Sequence, residues 1–319
     1  MEVKFGAQTT TEEVLANIDL AGKRVLITGV SAGLGVETAR VVAAHGAKVV
    51  GTARDLDKAR KALEPFTELS IDIFACDLAS LASVRACADA LCARYDRFDV
   101  LIANAGVMNC PLGRTEDGFE THFGTNHLGH FVLINRLVPL VDAGGRIIML
   151  SSSAHGASDV CLEDPGFERS EYDAFGAYGR SKTANSLYAV ELDRRLKSRN
   201  IRATAVHPGG IMTVLLRHTS PDMLLDMTTR SARDPGANAS GLPDVKTVEQ
   251  GASTTVWAAF VAPAGLVGGH YCEDCHVAKP SEAGGGVRPY ALDPERAKVL
   301  WTKSEEMVGE RFADLQTET

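Results

Sequence analysis

Between residues 23 and 210 the chain repeats one pattern: a short β-branched run, a glycine or polar turn, then a segment of helical period. KRVLITG (23–29) leads into GVETARVVAAHG, and AKVVGTAR (47–54) into DLDKARKALEPF. SIDIFACD (70–77) leads into LASLASVRACADALCARYD, and DVLIANAG (99–106) into the segment around 116–139. GRIIMLSS (145–152) and IRATAVHPGG (201–210) complete the series, with a helix around residue 178 between them. Short apolar strands alternating with helices imply a parallel sheet covered on both faces. Right-handed crossovers then give an α/β fold with a doubly wound parallel sheet of Rossmann type.

Three segments break the rhythm. Residues 1–20 precede the first strand and are expected as a short helix on the surface. Residues 153–176 form a long insertion, and residues 214–246 are rich in Met, Leu, Pro, Ser and Gly without clear period. Long irregular segments in compact domains are often lids or binding loops. No repeat, low-complexity tract or charge block marks a linker, so one domain over residues 1–319 is expected.

A net charge of −8 argues against nucleic acid or an anionic membrane as partner, since phosphate-rich surfaces call for cationic excess. Seven scattered cysteines, an odd number, suit reduced thiols in a cytoplasmic protein better than a disulfide framework. The opening MEVKFGAQTTTEEVLANIDLAGK has neither an apolar signal core nor an Arg-rich transit pattern. GASTTVWAAFVAPAGLVGG (251–269) approaches the length of a membrane span, but its glycines, proline and hydroxyl residues read better as a buried helix followed by a loop.

The first strand runs directly into TGVSAGLG, with Gly29, Gly33 and Gly35 ahead of a helix. Glycines there let backbone approach a pyrophosphate, which a helix N-terminus favours. No Gly-Lys-Ser/Thr follows, so this is not a Walker loop. At the end of the second strand, GTARD presents Ala53 where an NAD site offers a carboxylate to the ribose. Arg54 follows, and a guanidinium can pair a 2′-phosphate through two hydrogen bonds, which favours NADP over NAD. The plain alternative is a solvated arginine beside Asp55. Tyr178 stands four positions before Lys182, so a phenol and an ammonium share one helix face. Alone, that pair is equally a solvated tyrosine beside a solvated lysine.

Taken in order, TGVSAGLG, CDL (76–78), NAG (104–106), NHLGHF (126–131), SSS (151–153), YGRSK (178–182) and HPGGIMT (207–213) resemble the short-chain dehydrogenase/reductase family over nearly the whole chain. The opening, the insertion before Tyr178 and the tail GGHYCEDCHVAKP are similar to its branch of retinol dehydrogenases and WW-domain oxidoreductases, without that branch's membrane anchors or WW modules. The resemblance implies a catalytic tetrad of Asn126, Ser152, Tyr178 and Lys182. Ser152 is preferred to Ser151 and Ser153 because the family's serine is the second of the pair ending the fifth strand. It implies cofactor contacts from Gly29, Ser31, Gly33, Leu34 and Gly35, from Asp77 and Leu78, from Asn104, Ala105 and Gly106, and from Pro208, Gly209 and Thr213. It also implies a dimer or tetramer.

Tyr178 would be the acid in reduction and the base in oxidation. Bringing a phenol from about 10 to near 7 takes roughly 4 kcal/mol, to which the neighbouring ammonium and an oxidised, cationic nicotinamide would both contribute, strengthened by exclusion of water. Ser152 would fix the substrate oxygen, and Asn126 would order a water linking Lys182 to solvent. The expected activity is interconversion of an alcohol with a ketone or aldehyde. Met212, Leu215, Leu216, Met223, Leu224, Leu225 and Met227 offer flexible apolar cover and point to a bulky hydrophobic substrate. Two rivals keep these motifs: a carbon–carbon double-bond reductase of the protochlorophyllide reductase type, and a non-catalytic, cofactor-binding interaction protein. No metal is expected. CEDCH (272–276) has a haem-attachment form without export, and the spacings of His122, His127 and His130 do not give a zinc-binding face. His155 and Tyr172 are expected at surface loop positions.

Overall fold

The computed structural model describes residues 5–211, 215, 245–282 and 285–312. Six strands fall where the apolar runs place them: β1 (Arg24–Thr28), β2 (Lys48–Ala53), β3 (Ile71–Ala75), β4 (Phe98–Ala103), β5 (Val141–Leu150) and β6 (Arg202–His207). A two-residue pair, β7 (Gly210–Ile211) and β8 (Val245–Lys246), stands apart from them. The tail adds β9 (Tyr271–Glu273) and β10 (His276–Val277). The main sheet has the order β10-β9-β6-β5-β4-β1-β2-β3 and is parallel except for β10, which folds back on β9. The chain forms one domain of Rossmann type, and strand order reverses between β1 and β4, where such sheets open a crevice.

The helices are α1 (Thr11–Leu15), α2 (Leu34–Ala44), α3 (Leu56–Leu63), α4 (Leu81–Arg94), α5 (Gly129–Leu137), α6 (Ala174–Leu196), α7 (Val248–Val256), α8 (Ala264–Val267) and α9 (Pro294–Val308). Short polar side chains start several of them. Asp55 accepts the Lys58 N–H at 2.9 Å, Asp173 accepts the Gly176 N–H at 2.9 Å, and Thr10 with Glu13 closes a capping box on α1. Each such cap is worth about 1 kcal/mol.

Two apolar layers sandwich the sheet. One joins Leu81 and Val84 of α4 to Phe131 of α5, Leu187 of α6 and Trp301 of α9. The other joins Val14 and Leu15 of α1 to Val41 and Val42 of α2, Ala59 of α3 and Val256 of α7. The N-terminal helix is therefore not a surface appendage as expected: Leu15 is fully buried, because α1 lies against α2 and α7. The apolar run 251–269 divides into α7, a π-helical turn over Trp257–Val261 and α8. Among the described residues no helix is long and apolar enough to cross a membrane.

The helix expected around 116–139 begins with a π-helical turn, Phe123–Leu128, before α5. The Glu120 carboxylate accepts the N–H groups of His122 and Phe123 at 2.9 and 2.8 Å and so holds its start. At its end Gly129 lies so close to the Leu78 carbonyl that an added Cβ would stand 2.5 Å from that oxygen. The looser turn carries Asn126 inward.

Candidate active site

A cleft of about 380 Å³ opens at the carboxyl ends of the strands on both sides of the β1/β4 reversal. Its floor is the glycine turn, with Gly29, Ser31, Gly33, Leu34 and Gly35 all lining it. The turn packs tightly on its own helix. A Cβ at Gly35 would lie 2.2 Å from the Gly29 carbonyl oxygen. Thr28 Oγ1 accepts the N–H groups of Asn104 and Ala105, both at 3.0 Å, and Asn104 Nδ2 donates to Thr28 O at 2.7 Å. These bonds tie the end of β4 to the end of β1. No side chain caps α2, so the positive end of its dipole and its first N–H groups face the cleft.

At one end Ala53, Arg54, Asp55 and Lys58 line the wall. Asp55 spends its carboxylate on the α3 cap, and among the described residues Arg54 makes no ion pair. This cation-rich end presents two basic side chains and no uncommitted acid at the close of β2. Lys58 escaped the sequence reading; its signal was a lysine three positions after the Asp55 cap. Asp77, Leu78, Asn104, Ala105, Gly106 and Pro208 also line the cleft, and Gly209 follows Pro208. Thr213 lies outside the described residues, as does nearly all of the 214–246 loop except Leu215, Val245 and Lys246.

Tyr178 and Lys182 lie together one turn apart on α6, and both are buried. Lys182 Nζ is 5.6 Å from the centre of the Tyr178 ring and donates to Leu150 O at 2.9 Å. Ser152 Oγ accepts the Ala154 N–H at 3.2 Å and stands near enough to the phenol to favour its ionised form. Neighbouring serines serve elsewhere: Ser151 Oγ donates to Lys182 O at 2.9 Å, and Ser153 N–H donates to His207 at 3.2 Å. Of the three serines, Ser152 is the one whose side chain acts on the phenol's acidity. Acidification of the phenol, expected from Lys182, is not produced by the protein's own groups. Burial pushes Tyr178 up to about 12, with the Ser152 hydroxyl pulling the other way. The same burial pushes Lys182 down to about 8, so the ammonium is itself disfavoured where it would act.

Asn126 braces the cleft rather than projecting into it. Its Nδ2 donates to Val107 O and to Ser181 Oγ, both at 2.9 Å, and its Oδ1 accepts the Val107 N–H at 2.8 Å. His130 bonds the Asn126 carbonyl at 2.9 Å through Nδ1 and Thr28 Oγ1 at 2.9 Å through Nε2. Around the phenol, Met108, Ala154, Phe175 and Leu215 form an apolar patch, of which only Leu215 was anticipated. Of the two residues expected at surface loop positions, His155 is buried and Tyr172 is half-buried. His155 is 2% exposed, and the Tyr172 hydroxyl donates to Cys110 O at 2.8 Å. His122 donates from Nδ1 to Glu120 at 2.7 Å and accepts the Cys110 N–H at Nε2. Cys272 and Cys275 are buried in the β9–β10 hairpin. Among the described residues no three His, Cys, Asp or Glu side chains gather as metal ligands.

A glycine turn at a switch-point crevice, with a buried tyrosine–lysine pair at its end, belongs to a Rossmann-type α/β protein. Comparison with known proteins agrees. The short chain dehydrogenase family model matches residues 23–224. Retinol dehydrogenase 14 of Mus musculus is 39% identical over 90% of this chain and 86% of its own. The WW domain-containing oxidoreductase of Homo sapiens is 36% identical over 97% of this chain and 73% of its own. A crystal structure of an uncharacterized protein from Mycobacterium Paratuberculosis superposes with a TM-score of 0.74 at 32% identity, covering 96% of this chain and 99% of that one. The chain belongs to the short-chain dehydrogenase/reductase family, in the branch of retinol dehydrogenases and WW-domain oxidoreductases, and is an oxidoreductase of that family.

Proposed function

We propose that the protein is an NADP-dependent oxidoreductase that interconverts a bulky hydrophobic alcohol with its ketone or aldehyde, using Tyr178 as acid and base. The observation that carries this reading is the buried Tyr178 phenol, beside Lys182 and under an apolar patch at the end of the cleft. The residues present fit a nicotinamide dinucleotide: the uncapped α2 suits its pyrophosphate, and Arg54 with Lys58 suits a 2′-phosphate. Asp77, Leu78 and Asn104 to Gly106 would line its binding, Lys182 would hold its ribose, and Pro208, Gly209 and Thr213 its nicotinamide end. When bound, that group supplies the two-electron redox chemistry.

In reduction, the Ser152 hydroxyl fixes the carbonyl oxygen and the Tyr178 O–H gives it a proton. A phenol held near 12 is protonated at neutral pH and stands ready as the acid. The Lys182 ammonium then stabilises the phenolate left behind, at close range and out of water. In oxidation the same phenol must first lose its proton, which the burial of Tyr178 opposes. Met108, Phe175 and Leu215 exclude water and suit an apolar substrate. A cytoplasmic setting belongs to this reading, supported by seven free cysteines.

The test is a panel followed by nicotinamide absorbance: 2-decanone, benzylacetone and cyclohexyl phenyl ketone against acetone and glycolaldehyde, with NADPH and NADH. Turnover of the hydrophobic ketones with NADPH is expected, and Arg54→Asp should lower the NADPH-to-NADH preference about tenfold or more through loss of a charge-assisted pair. Turnover confined to the small polar compounds, or a preference unmoved by Arg54→Asp, contradicts the reading.

A further inference from the structure

Ser152 lies past the last bond of the sheet. The β5–β6 register ends with Leu150 opposite Val206, and the ladder closes with the Ser151 N–H on Val206 O at 2.8 Å. The Ser152 carbonyl instead accepts twice from His155, through the main-chain N–H at 3.1 Å and through ring Nδ1 at 2.7 Å. Nδ1 therefore carries the proton. Nε2 accepts the Arg288 N–H at 3.0 Å, so one neutral tautomer satisfies both contacts and the other satisfies neither.

Ring and backbone of His155 are held from three remote stretches: β9, α6 and the 288–290 segment. The ring face packs on Tyr271 of β9 at 4.8 Å. The His155 carbonyl accepts the Tyr290 hydroxyl at 2.6 Å and the Thr183 hydroxyl of α6 at 3.3 Å. Arg288, two residues before Tyr290, holds the ring at Nε2. Burial, with the Arg288 charge adding to it and the Ser152 bond opposing, pushes the ring down to about 4 and keeps it neutral at working pH.

We propose that His155 is a positioning residue for the reaction, its Nδ1–H fixing the Ser152 backbone so that the Ser152 hydroxyl meets the Tyr178 phenol. This rests on the reading of Ser152 and Tyr178 given above. An asparagine at 155 places its NH2 where Nδ1–H stands, whereas a glutamine places its amide near Nε2. His155→Asn should keep kcat for benzylacetone with NADPH within about threefold. His155→Gln should lose about tenfold or more, the effect of taking from the Ser152 carbonyl its shorter, ring-donated bond while the main-chain bond remains. NADPH affinity and Tm should match between the two variants. Equal kcat values, or a loss that follows Tm, overturn the proposal.

Nitrogen NMR of histidine-labelled wild-type protein, with His155 assigned by its disappearance in His155→Asn, reads the hydrogen bond without a substrate. A neutral Nδ1–H tautomer from mildly acidic to mildly alkaline pH is expected; an Nε2–H tautomer, or protonation within that range, overturns the proposal. Wild-type protein inactive on every ketone contradicts the proposed function alone, and the tautomer still decides the placement of His155.

Discussion

Lys182 pays for its place in the cleft with stability. Its ammonium is buried, which lowers its pKa from 10.5 to about 8. Between those two values the unfolded chain binds a proton that the folded chain does not, so stability rises with pH from about 8 to about 10.5. Below about 8 both forms are charged and the folded state bears the whole desolvation cost. Replacing the ammonium removes that cost, and Leu150 O keeps the Asn185 Nδ2 donor at 3.0 Å. Lys182→Met should therefore raise neutral-pH stability, by on the order of 3 kcal/mol, while abolishing turnover. Denaturant unfolding at neutral pH measures this; a less stable Lys182→Met protein would mean that the lysine is held for the fold and not for chemistry.

At the level of elements, the close contact between the glycine turn and α2 sets the cleft floor. Gly35→Ala drives a Cβ into the Gly29 carbonyl, and that oxygen is backbone with nowhere to retreat. A loss of about 1–3 kcal/mol is expected, with NADPH affinity falling as α2 shifts. Gly6→Ala, where nothing lies within 4 Å, is the matched control. Calorimetric Tm values and NADPH titration distinguish the two; equal behaviour would mean that the turn yields freely. Strands β1 to β6 were legible because a short apolar run is a local signal, even in β3, which ends the sheet and is only partly buried. Strands β9 and β10, three and two residues long, carry no such signal; β9 exists through pairing with β6, and β10 through pairing with β9. The π-helical turn at Asn126 was hidden for a similar reason, since it depends on the contact of Gly129 with Leu78. The motifs gave the positions of Tyr178, Lys182 and Ser152, whereas the place of His155 depends on partners more than 130 residues away. The acidity of the phenol could not be read from spacing, because burial is a property of the whole packed site.

For the whole molecule, the neutral histidines His127, His130 and His155 are locked inside, and His207 is half-buried. Burial pushes His127 and His207 down to about 3, and His130 and His155 down to about 4, from 6.5. Below 6.5 the unfolded chain gains protons that the folded chain refuses, so stability is present above that pH and falls as acid is added. Each such proton is worth about 1.4 kcal/mol per pH unit. Against a net stability of about 5–15 kcal/mol, four of them should unfold the protein within roughly three pH units below 6.5. Circular dichroism across an acid titration follows this directly, and a fold intact at pH 3.5 would show that these rings take up protons without unfolding. The same burial logic joins the scales: water excluded from the core keeps the histidines neutral, the lysine poised and the phenol protonated.

The central claim is that the Tyr178 phenol moves the proton. Its most direct test is Tyr178→Phe, which removes one oxygen and keeps the ring against Met108 and Ala154. The account predicts that kcat for benzylacetone falls by about 100-fold or more, as for loss of a general acid, while NADPH affinity and Tm change little. Turnover retained within a few-fold by a well-folded, cofactor-binding Tyr178→Phe protein would contradict it.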